Sequence, residues 1–377
     1  MQLEYVTASE VAIPDYLSES FVRYNDKINI EDFTLGIIGM EEFRGNEANL
    51  GCESGPDAIR RQLFQLKNFP KIKIIDAGNI KMGVSYKDSH FALKSTLHEM
   101  LKADIIPIVL GGDKTLLCAQ QEAYYNLHFP FINILQIDEK FKMGNDVDEE
   151  ITAENYLDHL VNQEPNLIFN FTQLGYQSYF VDALTLDINQ KLGFENIRLG
   201  EVKEDIKETE PIVRDCDLLA FNVSALRQAD ASAYHQPTPN GFSADEVCQI
   251  VRYAGLSDRL SSIGFYDFNP KYDQQNQTAQ IVAQAIWYFI KGVSERKKDY
   301  PVVNESDFNI YIVSSKEIGY DITFLKSKKS DRWWIKLPDD HVKYKSHQLV
   351  PCSYKDYQMA LQDEIPTRWW KAYNKLV

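Results

Sequence analysis

From Phe33 onward, short apolar runs alternate with stretches of helical periodicity. The runs at 34–38, 72–76, 105–110, 131–137, 167–171, 196–199, 217–221 and 261–265 are rich in Ile, Leu, Val and Phe. Gly, Pro, Asn or Asp bounds them. Continuous apolar strands belong to a parallel sheet buried on both faces, because a half-solvated strand would alternate. Amphipathic helices are predicted over 54–66, 87–103, 115–126, 153–162, 243–253 and 278–295. Ser54 before Gly55-Pro56 is a sound start for the first, since the fixed φ of proline suits a first helical turn. The alternation implies an α/β fold with a parallel sheet covered by helices. Working residues in such sheets gather at the carboxyl ends of the strands.

The flanks are patterned differently. Residues 1–32 are mixed and acidic and read as an N-terminal arm; residues 33–295 read as the α/β domain. Arg296-Lys297-Lys298-Asp299-Tyr300-Pro301 reads as a linker opening a C-terminal extension, 296–377. Strands over 308–313, 321–325 and 332–337 and a helix over 354–362 are predicted there. This extension is expected to pack on the body or on a partner. Its Arg332-Trp333-Trp334 and Arg368-Trp369-Trp370 make Trp333, Trp334, Trp369 and Trp370 candidate partner-binding residues, because arginine-flanked tryptophans are frequent at interaction hot spots. The same rings also suit the core of a small module.

Composition narrows the function. The 377 residues carry a net charge of −15, which disfavours nucleic-acid binding through the phosphate backbone. A local patch at Lys326, Lys328, Lys329 and Arg332 reads as a solvated loop. Five scattered cysteines without a CxxC pair point to reduced thiols in a cytoplasmic protein. The first residues show no signal-peptide pattern, and the apolar stretch at 281–290 is too short to span a bilayer, so no membrane insertion is expected. The seven histidines, His341 and His347 among them, form no HxH or HExxH pair. His235 is the one weak ligand-binding candidate among them, in a loop. Cys118 reads as part of an apolar helix face, and Gly111-Gly112-Asp113-Lys114-Thr115 lacks the glycine spacing of a phosphate loop.

Three segments at the ends of predicted strands carry the chemistry: Gly111-Gly112-Asp113-Lys114, Ile137-Asp138-Glu139-Lys140-Phe141-Lys142 and Ala220-Phe221-Asn222-Val223-Ser224-Ala225. Four further segments surround them: Gly51-Cys52-Glu53-Ser54-Gly55-Pro56-Asp57-Ala58-Ile59-Arg60, the strand leading into Gly111, Thr238-Pro239-Asn240-Gly241-Phe242-Ser243, and Asp267-Phe268-Asn269-Pro270-Lys271-Tyr272-Asp273 before Thr278-Ala279. In order and spacing they resemble the binuclear-manganese ureohydrolases (arginase, agmatinase and formimidoylglutamase), most of all the last branch. The resemblance implies a three-layer α/β/α arginase-like body, often assembled as oligomers. It also implies six metal ligands, within Gly-Gly-Asp-His, Asp-Ala-His-x-Asp and Ser-x-Asp-x-Asp, that make a hydroxide nucleophile at two manganese ions.

Mapped onto this chain, Lys114 stands for the first His, Lys140 for the second, and Lys142 for an Asp, while Asn222 and Ser224 replace the last two Asp. Asp138 alone is retained. Lysine is a cation where a cation would bind, and two unit charges near 4 Å repel by about 4 kcal/mol at an effective dielectric near 20. The expectation is therefore no manganese, with one or two ammonium groups at roughly the old metal positions, hydrogen-bonded to Asp113, Asp138 and Asp267. Asp267 lies where the family places a glutamate near the guanidinium end of its substrate and, with Asp113, is a candidate ligand-binding residue. The leading functional expectation is a catalytically inactive scaffold or regulatory protein with a protein partner or self-association. The alternatives are a sensor of a small guanidino or amino-acid ligand, and a formimidoylglutamase-like hydrolase of linear amidines.

Overall fold

Nine strands pair side by side, every neighbour parallel, in a sheet that places four loop segments at its centre. The structure is a computed structural model that describes residues 2–145, 147, 150–301, 305–315, 319–338 and 348–376; His341 and His347 lie outside these. In chain order the strands are β1 (Phe21–Arg23), β2 (Leu35–Met40), β3 (Ile74–Ile80), β4 (Ile106–Leu110), β5 (Ile132–Ile137), β6 (Ile168–Tyr176), β7 (Glu195–Arg198), β8 (Leu218–Asn222) and β9 (Ser262–Tyr266). Across the sheet they run β1-β3-β2-β4-β9-β8-β5-β6-β7.

The helices are α1 (Gly55–Leu63), α2 (Tyr86–Lys102), α3 (Leu117–Glu122), α4 (Tyr156–Asn162), α5 (Ala183–Lys191), α6 (Leu199–Glu204), α7 (Thr209–Arg214), α8 (Ala244–Leu256) and α9 (Gln277–Ser294). Strand side chains divide between two apolar layers. Leu35, Ile37, Ile108 and Leu110 join the layer of α1, α8 and α9, whereas Ile38, Met40 and Val109 join that of α2, α3 and α4. This is the three-layer α/β/α arrangement expected, and the period-two split of fully buried strands is its cause.

The framing motifs act as scaffold. Arg60 is fully buried and donates to Asp76 Oδ1 (3.1 and 2.9 Å), to the Gly78 carbonyl (2.7 Å) and to Asn79 Oδ1 (2.6 Å), locking α1 to β3. Asp273 accepts from the amides of Thr278 (2.9 Å) and Ala279 (3.0 Å), which closes the open end of α9.

Both flanks are built into the fold. The arm supplies β1, an edge strand paired with β3, and buries Leu3, Leu17, Phe21 and Ile30. The linker is fastened, with Arg296 donating to the carbonyls of Gly255 and Leu260 at 2.9 Å each. Beyond it, β10 (Phe308–Ser314), β11 (Asp321–Ser327), β12 (Trp333–Lys336) and β13 (Leu349–Cys352) form an antiparallel sheet, followed by α10 (Tyr354–Leu361) and α11 (Thr367–Leu376). Trp333 and Trp369 lie in the core between this sheet and its helices, and Trp334 faces the body, so these three rings are buried within the chain itself. Only Trp370 of the four is exposed.

The module docks on α7. Arg214 is buried, donates to the carbonyls of Trp333 (3.0 Å) and Cys352 (3.1 Å), and stacks 4.3 Å over the Trp334 ring. The basic patch proves to be paired: Lys326 with Asp331, Lys329 with Asp307 and Arg332 with Glu210. No helix among the described residues is long and apolar enough to cross a membrane.

Candidate functional site

The ends of β4, β9, β8 and β5 are neighbours at the centre of the sheet, where the strand order changes direction. Such a switch point opens a crevice at the carboxyl ends of the strands. Gly111 and Gly112 follow β4 with φ of +78° and +73°. A Cβ on Gly111 would lie 2.6 Å from Pro56, so this double left-handed turn needs glycine. It delivers Asp113 and Lys114 into the crevice.

Asp138, from the end of β5, is the hub. Lys114 Nζ donates to its Oδ2 at 2.6 Å, Asn222 Nδ2 to the same oxygen at 2.8 Å, and Ser224 Oγ to Oδ1 at 2.7 Å. Asp267, after β9, sits with Oδ2 3.6 Å from Lys114 Nζ and accepts Asn46 Nδ2 (3.2 Å) and the Lys114 amide (3.3 Å) on Oδ1. All of these side chains are buried. Burial disfavours the Lys114 charge, but Asp138 and, more weakly, Asp267 outweigh it and hold the ammonium well above the ordinary lysine range. Asp267 has φ +63°, a conformation costing a non-glycine residue on the order of 1–3 kcal/mol. Its amide donates to the Gly112 carbonyl and its own carbonyl accepts Asn49 Nδ2, both at 2.9 Å, which fixes that strained geometry.

Asp113 takes no lysine. It accepts the amides of Gly45 (3.0 Å) and Thr115 (2.9 Å) and the Thr115 hydroxyl, and burial pushes its carboxyl up to about 7. Lys142 also stands apart: its side chain is 45% exposed and pairs with Glu154 at 3.1 Å. One ammonium, that of Lys114, therefore occupies the carboxylate cluster, within the one or two expected. Lys140 is half-buried and lines the cavity above it together with His235. Burial, then Lys140 and Lys114, lowers the His235 pKa. All five cysteines are buried, and burial raises each thiol, so none is an activated nucleophile.

Glu139, Tyr234 and Tyr156 also belong to the site, and the sequence reading did not single them out. Glu139 is buried, accepts the Thr238 hydroxyl (3.1 Å), and is pushed up to about 7 by burial and then by Asp138. An acid raised in the folded state opposes folding above its unfolded pKa. Glu139→Gln is therefore expected to stabilise the protein by up to about 3 kcal/mol above pH 7, a gain that fades to nothing near pH 4. Urea unfolding across that range is the check.

Manganese takes several oxygen or imidazole ligands. The residues present do not fit that role, because both Asp138 oxygens are engaged by an ammonium, an amide and a hydroxyl. Among the described residues, no three His, Cys, Asp or Glu side chains are placed to hold a metal ion together.

An α/β/α sheet with this crevice and these motifs defines the class. The arginase family model matches residues 33–291, and the chain belongs to that family. Among curated relatives, the formimidoylglutamases of Staphylococcus haemolyticus (26% identical over 289 residues, 72% of this chain and 90% of the relative) and Staphylococcus aureus strain MSSA476 (27% over 293 residues, 72% and 91%) are similar. Among solved structures, Trypanosoma cruzi formiminoglutamase with manganese superposes with a TM-score of 0.67 at 19% identity, covering 76% of this chain and 100% of that one. Bacillus subtilis formimidoylglutamase gives 0.67 at 19%, covering 78% and 97%.

Proposed function

We propose that this arginase-family protein does not hydrolyse guanidines or amidines through two metal ions and acts as a non-catalytic scaffold or regulatory protein of the cytoplasm. One observation carries the reading. The Lys114 ammonium lies 2.6 Å from Asp138, the one retained residue of the mapped ligand set, within the crevice where the resemblance places metal. A cation already neutralises that carboxylate, and a dication brought beside it would meet repulsion instead of a ligand shell. The buried, high-pKa thiols are in keeping with a reducing compartment.

Elemental analysis after dialysis from manganese-supplemented buffer tests the reading. Substoichiometric manganese and no release of product from formimidoylglutamate are expected. Two ions per chain, or turnover of that substrate, would overturn the reading in favour of a hydrolase. A second reading, a sensor of a small ligand, is favoured by the cavity over Lys114.

A further inference from the structure

A cavity of about 240 Å³ lies over the Lys114–Asp138 pair. Five charged side chains line it: Lys114, Lys140, Lys142, Glu154 and Asp182. Four of them are already engaged. Lys114 is paired with Asp138, Lys142 with Glu154, and Asp182 accepts the Thr185 amide at 2.7 Å at the start of α5. Lys140 makes no hydrogen bond or ion pair with any described residue. Tyr234 is only 2% exposed, lines the same cavity, and its hydroxyl makes no hydrogen bond among the described residues. The Nδ1 atom of His235 beside it is buried and likewise without a partner. The Lys140 ammonium and the Tyr234 hydroxyl are donors left unspent by the described residues, and both belong to the lining of one cavity, where a single acceptor can meet them together.

We propose that this cavity binds a small organic carboxylate, held by the Lys140 ammonium and the Tyr234 hydroxyl. The inference rests on the loss of the metal and names the ligand class of the sensor reading. The volume equals that of about eight waters at ~30 Å³ each, which suits an acid of a few carbons. One unspent positive charge balances one carboxylate. No arginine lines the cavity, and the short helical turn at Lys114–Leu116 is already capped by Asp113, so a phosphate dianion would keep surplus charge in a buried site.

The test uses the full-length, manganese-free protein. Thermal unfolding and calorimetric titration are run with sodium acetate, propionate and butyrate, against chloride at equal ionic strength and against inorganic phosphate. Saturable stabilisation by at least one carboxylate, and none by chloride, is expected. Lys140→Gln should weaken that binding by about tenfold to a hundredfold, the range for a charge-assisted hydrogen bond. Tyr234→Phe should weaken it less, and Lys140→Arg should keep most of it. Should the glutamine variant not fold, the phenylalanine and arginine variants decide by the same criterion. No carboxylate response beyond chloride, a preference for phosphate, or unchanged affinity in the variants would overturn the inference. Silence towards carboxylates in metal-free protein removes this inference alone, whereas stoichiometric manganese removes the reading beneath it.

Discussion

Lys114→Met is expected to cost the fold about 3–5 kcal/mol at pH 7, the range seen when one partner of a buried ion pair is removed. The cause is local. Asp138 and Asp267 are both fully buried, and Lys114 is the only cation whose nitrogen lies within 4 Å of either among the described residues. Without it, Asp138 would keep only the Asn222 amide and the Ser224 hydroxyl. Burial already raises the Asp267 carboxyl against the opposing Lys114 charge, so without that charge it would hold its proton more tightly still. The penalty from Asp267 is present above its unfolded pKa near 4 and is relieved as pH falls. Urea unfolding should therefore show a large midpoint loss at pH 7 that narrows towards pH 4.5. Adding Asp138→Asn should recover part of the loss, because the orphaned charge goes with it. An unchanged midpoint at pH 7 would mean that the pair does not stabilise the crevice as the geometry implies.

Arg214→Ala should have the next largest effect, about 3 kcal/mol, and a regional one. A single guanidinium donates to carbonyls on two strands of the C-terminal sheet, pairs with Glu210 at 3.0 Å, and covers the Trp334 ring. Truncation removes both of those bonds and uncovers the Trp334 ring while the main sheet keeps its own bonds. Limited trypsin digestion should then cut first around residues 296–301, and tryptophan emission should shift to the red. A digestion pattern identical to that of the parent protein would show that the module is held by other contacts.

Much of the body was legible because its strands are buried on both faces and so read as unbroken apolar runs. All eight predicted strands of the main sheet are present, their ends shifted by a few residues. The elements that were missed lack that signal. Strand β1 is three residues within an acidic arm, and α5 buries only Thr185 and Asn189, leaving no apolar stripe to recognise. Strand β13 contains Pro351, which argues against a central strand; it lies at the sheet edge, where the missing N–H is harmless.

The core of the site was legible too, since Lys114, Asp138, Asn222, Ser224 and Asp267 all lie at or just after strand ends that the sheet brings together. Their pairing was not. Sequence spacing gave Lys114, Lys140 and Lys142 equal standing, yet only the first emerges from a glycine turn aimed inward, and Lys142 lies far enough along its loop to reach Glu154 and solvent. The tryptophan pairs were ambiguous in principle, because the large amphipathic ring that anchors an interface is the one that fills a small core.

The three donors around Asp138 also bear on how such a chain could change over generations. A first step towards a metal site would put histidine at 114 alone, or a carboxylate at 222 or 224 alone. The histidine removes the sole ammonium from two buried acids, and either carboxylate adds a third acid to one ammonium. Both cost stability before any ion could be recruited, and a margin of about 5–15 kcal/mol is all a typical fold has to lose. The arrangement thus works as a ratchet, with a valley of poorly folded intermediates between this protein and a metal-binding version of the same crevice.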